Sequence, residues 1–377
     1  MNLLRVQGPL HRAELARQAG VSRTTVSTIV NELIETGLVR SVQDPAESGA
    51  TRQGRPGDLL ALNLSGQVVV GMDYSFQRVR VVVADLAHTV LAEGVSHLDP
   101  DQGWESTLAA GVAVVDAALF EAGMSRSAVL GVGVGIPGPV DSRSGRVGLS
   151  SNVGWAGVHP ADELAARLEL PVLVDNNAHL AALAEVVWGA GVGCHDLIYV
   201  LLSTGIGGGL ILNDQIVRGV AGSAGELGHL TVDDAGPTCR CGNRGCLEAY
   251  AGVPAILSAL RPVLGEDITL GDALEANANG SRAARRVFGD VGQVVGRTLG
   301  GVCNLFNPER ILIGGDVARA GEVLLEALRD SLARHSLPIA ADSVEVVSAK
   351  LDDQAGALGG VALVLRSNTP LLTESAF

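Results

Sequence analysis

Three cysteines crowd into eight residues as Cys239-x-Cys241-x4-Cys246, and His229 stands ten residues before the first of them. Three thiolates and one imidazole suit tetrahedral zinc. With all four ligands supplied by protein, no position is left for water, so a structural ion is expected. The chain has five cysteines, an odd count that argues against a disulfide framework. Two carboxylates hang on the same loop: Glu226 precedes His229 by three residues, and Glu248 follows Cys246 by two. Acids fixed by a metal loop are well placed to accept hydrogen bonds from sugar hydroxyls.

Two further stretches could do chemistry. In VDNNAHLAALAE (174–185) a short apolar run ends in Asp175-Asn176-Asn177 and an Ala/Leu-rich helix follows. That is where a strand hands polar groups into a cleft. LSTGIGGG, with Thr204, Gly205, Gly207, Gly208 and Gly209, reads as a strand, a glycine-rich turn and a second strand. Its glycines let backbone N–H groups approach an anion closely. Gly314-Gly315, after the apolar ILI run, is a fainter version of the same signal.

The elements that must position these groups alternate in type. QVVVGMDYS, RVRVVVADL, VLGVGVGIPG, PVLVDNN, LIYVLLSTGIGGGLIL and ILIGGD read as buried strands. WESTLAAGVAVVDAALFEAG, HPADELAARLE and the segment carrying Val287, Val291, Val294, Val295 and Val302 read as helices. The alternation predicts α/β layers, and 377 residues predict more than one domain. No apolar run is long enough to cross a membrane, and the N-terminus lacks the order of a secretory signal. A soluble cytoplasmic protein is expected.

The first 64 residues read differently. Ala13 to Ala19 forms a short helix with Leu15 and Ala16 inward, Gly20 supplies a turn, and Ser22 suits the N-cap of a second helix. Val26, Ile29, Val30 and Leu33 recur at helical spacing, which predicts one buried stripe, and Gly37 ends the helix. Arg23, Thr24, Thr25, Ser27 and Thr28 lie opposite: short, polar side chains of the kind that read a major groove. LVRSV and LLALNL then flank a loop whose tip, RQGRPG, offers Arg52 and Arg55 to a minor groove, as in a wing. Net charge is −14, yet residues 1–57 hold seven Arg and five Asp or Glu. A mildly basic head on an acidic body fits one DNA-facing module. Lys350 is the only lysine.

Together these pieces resemble the ROK family (repressors, open reading frames and sugar kinases). VGIPGPVD, VDNNAHLAALAE, LSTGIGGG, GELGH, CRCGNRGCLEAYAG and ILIGG fall in the family's order along essentially the whole chain. The resemblance implies a winged helix-turn-helix head over 1–64 and a two-lobed α/β body of the actin-like ATPase, ribonuclease H-like type, with lobes at 66–190 and 191–377. It implies a sugar site in the cleft and a homodimer or homotetramer. Members with a winged head are sugar-responsive regulators that bind operator DNA, and those without one are usually sugar kinases. Carried over, zinc falls on His229, Cys239, Cys241 and Cys246. Sugar contacts fall on Asn152, Asn176, Glu226, His229 and Glu248, and the amide of Asn177 can still meet a hydroxyl. Thr204, Gly205, Gly207, Gly208, Gly314 and Gly315 would be remnants of a nucleotide site.

Two departures separate the chain from the family's kinases. Their base is the Asp of Asn-Asp-Ala-Asn, and here that position is Asn177. A carboxamide cannot take the proton of a sugar hydroxyl during phosphoryl transfer. Their first phosphate loop runs Asp-x-Gly-Gly-Thr-Lys, and here it is Asp73-Tyr74-Ser75-Phe76-Gln77-Arg78. The expectation is a sugar-responsive repressor without kinase activity. The alternatives are an ATP-dependent sugar kinase carrying a DNA-binding head and a regulator answering to a protein partner.

Overall fold

The structure is a computed structural model that describes residues 2–35, 38–42, 59–63, 66–99, 102–141, 144–148, 155 and 157–367. The head comprises α1 (Asn2–Gln7), β1 (Leu10–His11), α2 (Arg12–Ala19), α3 (Arg23–Glu35), β2 (Val39–Val42) and β3 (Leu59–Leu62), its strands ordered β1-β3-β2. Gly20 takes the left-handed conformation (φ 67°) that ends α2, its N–H bonding Ala16 O. Ser22 Oγ accepts the Thr25 N–H at 3.1 Å and caps α3. Val26 and Val30 then face Leu4, Leu15, Ala16, Val39, Leu60 and Leu62. Ile29 departs from the expected stripe: it is 47% exposed. It lies about 60° round the helix from Val26, and so small a core covers only a narrow face. Gly37 and the wing tip with Arg52 and Arg55 lie outside the described residues.

The body holds two five-stranded sheets of identical plan. The first is built from β4 (Val68–Tyr74), β5 (Arg78–Asp85), β6 (Val90–His97), β7 (Val129–Ile136) and β8 (Val172–Asn176), with α4 (Trp104–Glu121) and α5 (Pro160–Leu168) between strands. Helix α6 (Asn177–Trp188) leaves β8 directly. The second holds β9 (Leu197–Leu202), β10 (Ile206–Leu212), β11 (Gln215–Ile216), β12 (Arg310–Gly314) and β13 (Glu345–Ser348). Its helices are α7 (Glu248–Ala251), α8 (Val253–Leu264), α9 (Leu270–Ala278), α10 (Arg282–Phe306), α11 (Glu322–His335) and α12 (Pro338–Ser343). In each sheet three antiparallel strands continue into two parallel ones, in the orders β6-β5-β4-β7-β8 and β11-β10-β9-β12-β13. In α10, Val291, Val295 and Val302 are buried and Val287 and Val294 pack at the margin of the same core, as their spacing predicts.

The last helix, α13 (Ala355–Arg366), returns to the first sheet, where Ala357, Leu358, Val361 and Val364 pack with Val69 and Val82. Within the expected second lobe, 191–377, helix α13 therefore packs on the first sheet. A Cβ on Gly359 would overlap Leu180 O, so α13 and α6 touch backbone to backbone. Leu38 of the head, 2% exposed, is buried in the cluster that holds Val364. Among the described residues, no helix is long and apolar enough to cross a membrane.

Candidate metal loop and ligand cleft

A cavity of about 1020 Å³ opens between the sheets, beyond the ends of β4, β7, β8 and β9. Ligands of open α/β folds collect at such strand ends. The metal loop forms one wall. His229 Nδ1 lies 3.7 Å from Cys239 Sγ, and Cys241 Sγ lies 3.7 Å from Cys246 Sγ. All four ligand atoms fall within 4.8 Å of one another. Zinc–sulfur bonds of about 2.3 Å put two ligand sulfurs about 3.8 Å apart in a tetrahedron, so the four side chains fit that ion. The opposite ring nitrogen, His229 Nε2, faces Glu226 Oε2 at 3.8 Å in the cavity. One imidazole thus bridges metal loop and ligand space.

The two expected acids are placed unlike surface acids. Burial pushes the Glu226 carboxyl above the ordinary range, and a nearby Glu248 adds to the shift. Glu248 is 9% exposed and heavily engaged: Oε2 accepts the Ile206 N–H at 3.0 Å and Oε1 the Arg240 Nε–H at 2.6 Å. Arg240 stands between Cys239 and Cys241, and its guanidinium lies 5.3 Å over the Phe76 ring from the other lobe. Nothing in the sequence pattern singled Arg240 out. Only its position inside the cysteine pair could have drawn attention to it.

At the end of β8 the three polar residues divide their work. Asp175 points into the protein and is bound by His179 and Arg218. Burial opposes its charge, but those partners outweigh burial and hold its carboxyl below the ordinary range. Asn176 caps α6: its Oδ1 accepts from the Ala178 N–H (2.7 Å) and the His179 N–H (3.4 Å), while Nδ2 donates to Gly138 O (2.9 Å). It lines the cavity with one amide hydrogen left. Asn177 also lines the cavity, and its side chain bonds no described residue. Asn152 lies outside the described residues.

Thr204 and Gly205 form the β9–β10 turn and line the cavity with Gly207, the second residue of β10, and Gly315. Gly208 turns away, where a Cβ would meet Leu227, and Gly314 is covered by the Tyr199 ring. Across the cleft Asp73 sits against the start of α13, where a Cβ on Gly356 would crowd its carboxylate. Its Oδ1 is buried without a hydrogen-bond partner, and burial pushes the carboxyl up to about 7, against the pull of Arg78 and Arg80. The sign follows by linkage. The folded chain binds this proton more tightly than the unfolded chain, so stability falls as pH rises from about 4 through 7. Asp73→Asn is expected to stabilise the fold at pH 8 by about 2–4 kcal/mol and by almost nothing at pH 4. Thermal denaturation at both values checks this, and destabilisation at pH 8 would contradict it.

On the head, Ser22, Arg23, Thr24, Thr25 and Thr28 are exposed and Ser27 is half-buried. Ser22 Oγ and Thr25 Oγ1 bond each other at 2.8 Å, and Thr28 Oγ1 bonds Thr24 O, so these hydroxyls are partly spent inside the helix. Arg23 and Thr24 carry the freest groups of the face.

Fold and site define a class: a winged helix-turn-helix head joined to a two-lobed body of sugar-kinase type. The ROK family model matches residues 69–367 and the MarR family model matches 1–47. The chain belongs to the ROK family. It is 29% identical over 369 residues to the xylose repressor of Caldicellulosiruptor bescii, covering 94% of this chain and 92% of that one. Among solved structures it resembles a ROK family transcriptional regulator described as a homologue of the E. coli MLC protein (27% identity, TM-score 0.82, 97% and 93% of the chains). It also resembles a ROK family glucokinase from Streptomyces griseus in complex with glucose and AMPPNP (30% identity, TM-score 0.71, 78% and 98%).

Proposed function

We propose that this protein is a sugar-responsive, DNA-binding transcriptional regulator, most simply a repressor of carbohydrate genes, which binds its sugar without phosphorylating it. One observation carries the reading: a DNA-reading head shares a chain with a cleft in which the base position holds Asn177, a neutral side chain free to meet a hydroxyl. Glu226, Glu248, His229, Asn176 and Asn177 are the proposed sugar contacts, and Asn152, outside the described residues, is proposed as a further one. Zinc, held by His229, Cys239, Cys241 and Cys246, would fix the wall that presents three of them. The head would act on operator DNA as a homodimer or homotetramer, through Arg23, Thr24 and their neighbours and through Arg52 and Arg55. Leu38 ties head to body at the α13 cluster, so a sugar that favours one lobe arrangement can bias the head. Only a difference in affinity between two arrangements can do so.

The kinase reading draws support from the turn at Thr204 and Gly205, which still opens to the cavity. Asn177 and Phe76, which takes the place of a phosphate-loop glycine, count against it. A thermal-shift panel of D-xylose, D-glucose, N-acetylglucosamine and their phosphates should yield at least one stabilising sugar. ATP consumption with that sugar is expected below about 0.1 s⁻¹, which is 10²–10⁴-fold under ordinary kinase rates. Turnover of 1 s⁻¹ or more, on the order of an ordinary kinase, would establish the kinase instead.

A further inference from the structure

The β8–α6 corner carries a charge cluster that the sugar contacts do not use. Asp175 is 3% exposed and His179 1% exposed. Each oxygen of Asp175 takes two donors. Oδ1 accepts from the Asn176 N–H at 2.8 Å and faces His179 Nδ1 at 2.9 Å, while Oδ2 accepts from Arg218 Nε at 2.8 Å and Nη2 at 2.7 Å. His179 Nε2 faces the Ala224 carbonyl at 2.8 Å. The ring therefore spans the two lobes, with one nitrogen on Asp175 and the other on the Ala224 carbonyl.

The partners come from opposite sides of the cleft. Asp175 and His179 belong to the first lobe. Arg218 and Ala224 bracket the segment that follows β11 and runs into Glu226 and His229. The segment closes on itself through the Ala224 N–H to Arg218 O at 3.1 Å. Its tip lies on the first lobe, where a Cβ on Gly222 would overlap Val140 O. Side chains that meet a ligand are held in place by such supporting bonds, and a small misplacement costs affinity steeply.

We infer that Asp175, His179 and Arg218 are positioning residues: a buried charged latch that seats segment 218–226 on the β8–α6 corner and so sets where Glu226 and His229 stand in the cleft. The inference rests on the ligand site proposed above and adds the device that holds it. Asp175, which looks like a spare acid beside a lost base, is the hub of that device.

The test uses the full chain as wild type, Arg218→Met, Arg218→Lys and His179→Gln. Hydrogen exchange of peptides spanning 218–229 is measured without sugar. It is expected to quicken about tenfold or more in Arg218→Met and His179→Gln and to stay near wild type in Arg218→Lys. Binding of whichever of D-xylose, D-glucose and N-acetylglucosamine gives the largest thermal shift should weaken about tenfold or more in the first and last variants. Zinc content and sugar-free DNA binding should hold. Unchanged exchange in both Arg218→Met and His179→Gln would overturn the latch. Arg218 is partly exposed, so Arg218→Met keeps the test open if His179→Gln fails to fold. If no sugar binds wild type, the ligand reading falls while the exchange arm still decides the latch.

Discussion

Cys246→Ser is expected to abolish metal binding, lowering zinc from about one per chain to background and taking the sugar response with it. Cys246 is fully buried, and the chain runs from it straight to Leu247 and Glu248. On the other side of the loop His229 follows Glu226 by three residues, in one short helical turn. The four ligands therefore hold both acids at their spacing across the cleft wall. Without the ion, two or three thiols and an imidazole are left crowded together, and the stretch 236–245 is left to its short-range bonds, such as Cys239 N–H to Asn243 O at 2.7 Å and Gly245 N–H to Pro237 O at 2.8 Å, and to the Arg240–Glu248 pair. Structural zinc contributes folding free energy directly, and losing such a site belongs to the rare changes worth more than about 4 kcal/mol. Elemental analysis with a melting curve checks both parts. Zinc retained at one per chain in Cys246→Ser, or no metal in wild type, would remove the account of the cluster.

Glu226→Gln is expected to weaken sugar binding about 10- to 100-fold while leaving sugar-free DNA binding unchanged. Glu226 is the less committed of the two acids. Its near neighbour is His229 at 3.8 Å, whereas Glu248 is bound to Ile206 and Arg240. A hydrogen bond to a charged acceptor is worth about 1.5–3 kcal/mol. Gln keeps the shape and removes the charge, so the loss reads that interaction alone. Calorimetry with the hit sugar measures it. Undiminished affinity would move the sugar off this wall, and lost DNA binding would mean that the substitution disturbs more than the site.

How much of this was legible in the sequence depends on how local each signal is. The Cys and His spacing encodes a site almost by itself, since four ligands within eighteen residues can hardly avoid meeting. Gly20 and Ser22 fixed the turn of the head for the same local reason. Ile29 was misplaced because periodicity gives a direction, not the width of the core that receives it. Strand β6 escaped notice because VLAEGVSH is an edge strand with one buried residue, Ala92. Helix α13 was silent because its Gly and Ala pattern reports close approach to partners far away in sequence. At VDNNAHLAALAE the residue types were visible and their division of labour was not. That Asn176 caps α6, that Asn177 faces open space and that Asp175 turns inward depends on Gly138, Arg218 and Ala224, which no spacing rule connects to them.

The central claim is that sugar in the cleft changes what the head does to DNA. The direct measurement is a titration of the full chain against a DNA site selected from genomic fragments, at one fixed salt concentration because phosphate contacts make affinity steeply salt-dependent. It is run with and without saturating hit sugar. The account predicts a Kd at least about tenfold higher with sugar, a coupling within the usual allosteric range. A Kd that saturating sugar leaves unchanged would contradict it.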